Sequence, residues 1–310
     1  MKKRGLILLA VMMMLLSLMP SLQAQDDLTD DELELVNYVS DSMNKLNAMN
    51  SVYTSGTQSV VQDIRAEGQT INQTITQDIM GWMLNEEMLP VAMDMTTVQS
   101  IETVSDPGQN VELELSMDMR FLDDVLYARV YDYSTLLDGL YPEGWVNLVE
   151  AGDLYQGFQL LNIDQLSNIA ANTGIINIYN ENTVQSIEEL DTETLDDGTE
   201  VRVFSLELDV LAVLDDETTA SAMGALNFES LGIDIDTFIE DMMDSVSYVV
   251  TIKVNAETDI VMQIDVLMNI VAEITLQGIS VDLIQDVIST FNYSRFNEEI
   301  EIVVPDLSNS

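Results

Sequence analysis

Ser42 and Lys45 stand in the order Ser-x-x-Lys, where a lysine amine one helical turn from a serine hydroxyl can activate it for acyl transfer. The Lys-Thr-Gly and Ser-Asp-Asn runs that accompany this chemistry do not occur, and the pair is expected on the exposed side of its helix. Paired carboxylates can hydrolyse glycosides, but with 55 Asp and Glu in the chain a suitable separation somewhere is nearly guaranteed and carries no information. The stretch DTETLDDGTE, residues 191–200, offers oxygen ligands to calcium without the order of an EF-hand loop, and reads as a solvated acidic turn. There is no His and no Cys, which removes Ser-His-Asp and Cys-His nucleophiles, thiol redox couples and the usual zinc sites. Glycine-rich phosphate loops are missing too. No catalytic residue, metal ligand or cofactor is therefore assigned, and the chain is expected not to be an enzyme.

The chemistry that remains is apolar. In VELELSMDMRF, residues 111–121, Val111, Leu113, Leu115, Met117, Met119 and Phe121 point one way, and Glu112, Glu114, Ser116, Asp118 and Arg120 the other. Burying six such side chains is worth roughly 10 kcal/mol in all, so this face must be covered by something. Further along, Ile252, Met262, Ile264 and Met268 fall on similar alternating faces. Methionine thioethers suit a surface that adapts to ligands of varied shape, and they also fill ordinary cores. Trp82 and Trp145 could line the mouth of a cavity or anchor a core equally well. The candidate ligand-binding residues are thus Leu113, Leu115, Met117, Met119, Phe121, Trp82, Trp145, Ile252, Met262, Ile264 and Met268.

Positioning these residues falls to a series of strands. Thr29 followed by Glu32 has capping-box spacing, and Leu35, Val36, Val39, Met43, Leu46 and Met49 recur at helical spacing after it. From residue 52 the period changes to two: a hairpin turning near Gly68, a strand over about 91–104, the 111–121 strand, and one over about 125–133. Residues 134–180 read as loops and short helices, 183–190 and 200–210 as strands, and 211–244 as helical. Strands return over 248–254 and 260–270, and a last one over 298–304 places Ile300, Ile302 and Val304 inward. The reading gives about ten or eleven strands, in one domain over 25–310, as a large antiparallel sheet wetted on one side.

The first 24 residues have the layout of a secretory signal peptide: Lys2, Lys3 and Arg4, an apolar run to Met19, and a polar end at Ala24. The run is shorter than the ~20 residues of a spanning helix, so the mature chain is expected to have no transmembrane span and to work outside the cytoplasm. Beyond it stand seven Lys or Arg against 55 Asp or Glu, a balance that excludes nucleic acid as a partner. With 47% apolar residues the chain should fold, and without cysteine its core must supply the stability.

Leu140-Tyr141-Pro142-Glu143-Gly144-Trp145 in the middle and FNYSRFNEEIEIVVPD at the end, within this order of leader, helix and meandering strands, resemble the LolA / LppX / LprG group of exported lipid and lipoprotein carriers. The resemblance implies an α+β fold, a half-barrel of curved antiparallel sheet with helices covering its concave apolar face. It also implies a lipid or other hydrophobic ligand held between them by a monomer, with an envelope protein as a possible partner. Many members carry a lipobox cysteine, which this chain lacks. The alternative is a secreted acidic interaction domain with a solid core and no ligand.

Overall fold

In the computed structural model, residues 28–66, 69–105, 109–123, 125–131, 144–148, 178–209, 212, 246–276 and 279–307 are described. The first element is α1, Asp30–Asn47, and its capping box forms as the sequence implies. The Glu32 amide donates to Thr29 Oγ1 (3.3 Å), and the Thr29 amide donates to Glu32 Oε2 (2.9 Å). Asp30, Asp31 and Glu32 in the first turn and Lys45 in the last complement the helix dipole.

The eleven strands among the described residues lie in one antiparallel sheet: β1 (Ser51–Ala66), β2 (Gln69–Glu86), β3 (Leu89–Ser105), β4 (Gln109–Leu122), β5 (Val125–Tyr131), β6 (Val146–Asn147), β7 (Val184–Thr194), β8 (Glu200–Leu208), β9 (Val246–Asn255), β10 (Val261–Leu276) and β11 (Ile279–Ser294). Their spatial order is β6-β5-β4-β3-β2-β1-β11-β10-β9-β8-β7. The chain starts in the centre, walks to one edge, re-enters at the other edge and walks back. It closes by pairing β11 with β1 from Tyr53↔Ser294 to Ala66↔Val281. The sheet is curved but not closed, with β6 and β7 as its free edges.

Alternation gives each strand an inner face, defined here as the side on which α1 packs. Val36, Val39, Met43 and Leu46 of α1 join Val184 and Ile187 of β7, Phe204 and Leu206 of β8, Val250 and Ile252 of β9, and Ile264 of β10 in one buried cluster. Residues paired across the ladder share a face, so the inner side can be followed strand by strand from this cluster to β6.

Two expectations are corrected. An α+β half-barrel with helices over its concave face is not what forms: the described residues are mostly one large sheet, and their one long helix, α1, packs mainly on the β7, β9 and β10 side. The helical reading of 211–244 lies outside the described residues except for Ala212, as do the leader and most of 134–180. The strand expected over 298–304 does not form either, because β1, the strand it reaches first, already has β2 and β11 on its two edges. The last strand is instead β11, and the tail straps the sheet. The Asn297 amide donates to Ser51 O (2.9 Å), Ser51 Oγ to Glu298 O (2.7 Å), and Arg120 Nη1 to Val303 O (2.9 Å). Ile302 is buried there, whereas Val304 is 50% exposed.

Candidate functional site

The inner faces of β1–β4 and β11 hold no charged residue at any described position. Every Asp, Glu, Lys and Arg within the ladders of these strands has the opposite parity, as with Asp63, Glu102, Glu112, Glu114 and Asp286. In a chain with 55 carboxylates this is a strong sorting of charge to one side. On the far side of the same face, burial pushes the Tyr248 phenol up to about 12 and those of Tyr179 and Tyr293 also upward, which keeps them neutral.

Away from α1 the inner face is rich in methionine. The ladder sets Met83, Met93 and Phe121 in one row, Gly81, Met95 and Met119 in the next, and Ile79, Thr97 and Met117 in a third. Phe121 is buried, whereas Leu113, Leu115, Met117 and Met119 are only half-buried, so this stretch stays partly open. Glycine makes room for it. A Cβ on Gly81 would lie 2.7 Å from Met95 Sδ and 2.1 Å from Asp94 O, so the thioether drapes over bare backbone. Gly56 does the same for Phe291, whose ring carbon would stand 2.6 Å from a Cβ.

Crossing this apolar surface is a row of uncharged polar side chains. Gln285, Gln62, Gln73 and Thr103 sit side by side on β11, β1, β2 and β3. All four are buried, at 0%, 1%, 5% and 7% exposure. Gln62 Nε2 donates to Gln285 Oε1, and Gln73 Nε2 donates to Thr103 Oγ1 (2.9 Å). Those bonds leave Gln62 Oε1, Gln73 Oε1 and Gln285 Nε2 buried without a partner. Each such atom costs about 1–3 kcal/mol. Four residues along the strands a second row holds Gln58, Gln77 and Gln99, with the Gln58 amide donating to Ser289 Oγ (3.1 Å). Between the rows runs the aliphatic strip Val287, Val60, Ile75, Ile101 and Leu113.

The sequence-predicted residues divide into three groups. Leu113, Leu115, Met117, Met119 and Phe121 share the inner face as expected, with Met268 on the same face of β10 and fully buried. Ile252 and Ile264 are inner but lie in the cluster with α1, and beside them a bulge pairs Val261 with Val254, leaving Met262 out of register and half-buried. Trp82 and Trp145 are not brought to this surface. Trp82 pairs with Tyr53 and Asp94 on the outer face, its ring 4.5 Å under the Arg295 guanidinium. Trp145 lies 5.1 and 5.2 Å from the guanidinium carbons of Arg120 and Arg129, which project outward from β4 and β5. Arg120 also pairs with Asp94 (2.7 Å), and Arg129 with Asp118. Asp118 is thereby buried on the side expected to be wet.

The Ser-x-x-Lys pair is taken up structurally. Ser42 is 1% exposed, against the expectation of an exposed position, because its hydroxyl donates to Tyr38 O (2.8 Å) and the helix turns it toward the sheet. Lys45 is held by Asp259 at 2.8 Å. That bond and one from Tyr38 hold the Asp259 carboxyl below its ordinary range. An open groove of about 370 Å³ borders this network, lined in part by Tyr38, Lys45, Met88 and Asp259. A second, of about 350 Å³, lies over the outer residues Val61, Asp63, Thr74, Glu102 and Asp286. The first lies between α1 and the hairpin-turn residues Met88 and Asp259, and the second lies on the opposite face of the sheet from α1. Among the described residues no cluster of three or more acidic side chains could hold a metal ion, and no helix is long and apolar enough to cross a membrane.

No family model matches this chain, and no curated protein does. Among solved structures, a DUF1329 family protein from Desulfovibrio piger aligns over 88% of this chain and 95% of its own, at 9% identity and a TM-score of 0.24. A lipovitellin structure addressing lipid–protein interactions aligns over 84% of this chain and 27% of its own, at 7% identity and a TM-score of 0.30. The translocator domain of the autotransporter NalP from Neisseria meningitidis covers 84% and 93%, at 10% identity and a TM-score of 0.20. Likenesses this distant carry no argument about function.

Proposed function

We propose that this is an exported, non-enzymatic binding protein that shelters an apolar ligand, such as an acyl chain, against the inner face of β2–β4. The observation that carries this reading is the half-buried, charge-free strip of Leu113, Leu115, Met117, Met119, Met93 and Met95, which α1 does not reach. An apolar surface left partly open at this extent is a site for a ligand or partner rather than a finished core. The methionines give it adaptable contacts, and binding would come from area burial at about 0.8 kcal/mol per CH₂. The α1 side serves as the rigid anchor of the sheet.

Mass spectrometry of protein purified from its host under native conditions is expected to show co-purified lipid. Replacing Leu115 and Met117 with Asp should abolish that signal, and uptake of a fluorescent fatty acid with it. If wild type carries no lipid and takes none up, the reading falls. A second reading has its own support: Val61, Leu267, Val271, Ile284 and Ile288 are 40–58% exposed on neighbouring outer positions of β1, β10 and β11. That surface favours an interaction module. It predicts that Leu267→Asp with Ile288→Asp, and not changes at the inner face, would abolish function in the host.

A further inference from the structure

We infer that the Gln285–Gln62–Gln73–Thr103 row is a recognition site for an uncharged carbonyl or hydroxyl group of the ligand, so that the protein selects neutral amphiphiles over charged ones. The inference rests on the binding reading above and adds the class of ligand. Three atoms of this row are more than nine-tenths buried and unpaired. Buried polar atoms in folded proteins are nearly always satisfied, and three orphans side by side on one face call for a partner. That partner must tolerate both ends of an amide, since Gln62 and Gln73 present an oxygen and Gln285 a nitrogen. A group with both donor and acceptor capacity, a hydroxyl beside an ester or amide carbonyl, fits such a row.

A charged headgroup does not fit. The seven cations after residue 24 are each held in an ion pair with a carboxylate. None lies on the inner faces of β1–β4 or β11. A carboxylate or phosphate drawn onto this face would lose its water without gaining a counter-ion. The neighbouring aliphatic strip is buried at Val287, Val60, Ile75 and Ile101 and half-buried at Leu113, so a neutral lipid would enter from the partly open β4 side and lie across the strands with its ester or hydroxyl over the amides.

The test is displacement of a fluorescent alkyl probe from the whole protein by monoolein and by oleate at neutral to mildly alkaline pH. Monoolein is expected to displace at about tenfold lower concentration or better. In Gln62→Leu and Gln285→Leu that preference should shrink to about threefold or less, with the affinity for the probe itself retained. Thr103→Val, a smaller change, should weaken it in the same direction and serves if the leucine variants fail to fold. Equal displacement by both lipids, or leucine variants that keep the wild-type preference, would overturn the inference while leaving hydrophobic binding in place; a row that only holds internal water predicts that result. Failure of the probe and of both lipids to bind at all would instead overturn the binding reading, and this inference with it.

Discussion

Glu87 and Met88 form the two-residue turn between β2 and β3 with φ of 52° and 70°, in the left-handed region. Such hairpin turns favour Asn-Gly, because a Cβ crowds the backbone there and costs about 1–2 kcal/mol per residue. Met88 recovers nothing through burial, being 45% exposed. Met88→Gly is therefore expected to stabilise the fold by about 0.5–1 kcal/mol after allowing for the greater freedom of glycine in the unfolded chain, read as a higher urea midpoint. A lowered midpoint would show that Met88 makes a contact worth more than its strain, and the groove it borders with Tyr38 and Lys45 would be the place to look. Gly81 is the opposite case: its missing Cβ is what allows β3 and Met95 to lie so close.

The helix α1 is tied to the sheet by side chains whose charge matters. The Lys45 bond, and then that of Tyr38, lowers the Asp259 carboxyl, and the Arg202 bond lowers that of Glu189. A depressed carboxylate contributes stability that is present above its unfolded value and lost as pH falls through its folded value. For Asp259 that loss therefore occurs below 3.8. Asp259→Asn should be less stable than wild type at neutral pH, by no more than about 1 kcal/mol because the pair is well exposed. The two urea midpoints should converge along the acid limb; a gap that persists there would show that the loss is one of packing. The helix and its cap were legible in the sequence, as were most strands, because each repeats one period over many residues. The 298–304 segment was misread because alternation alone does not say whether a ladder edge is free. The glutamine row was missed for a related reason. Gln58 and Gln62, and Gln73 and Gln77, recur four residues apart within alternating strands, yet amides count as outward in a hydropathy reading. Only the register shows them on the inner side. The tryptophans failed in the reverse sense, since arginines gave aromatic rings a favourable place on the outer face.

Across the whole molecule the charge distribution serves two ends, and salt separates them. The sorting of carboxylates to the outer face leaves the inner side of β1–β4 and β11 neutral, and the far edge strand β7 carries Glu188, Glu189, Asp191 and Glu193, which discourages pairing with another sheet. The composition gives a formal net charge of −45, whose self-repulsion opposes the compact state. Seven ion pairs among the described residues act in the other direction, but most are partly exposed and such pairs are worth only about 0–1 kcal/mol each. Salt weakens both. Raising ionic strength from about 0.01 to 0.15 M shortens the screening length from about 30 to 8 Å, which removes much of the long-range repulsion while pairs in contact lose less. The Tm is therefore expected to rise with sodium chloride over this range, in scanning calorimetry at neutral pH. A Tm that falls instead would mean that the ion pairs, above all the partly buried Arg120–Asp94 and Arg129–Asp118 beside Trp145, hold the sheet together more strongly than the surplus charge pushes it apart.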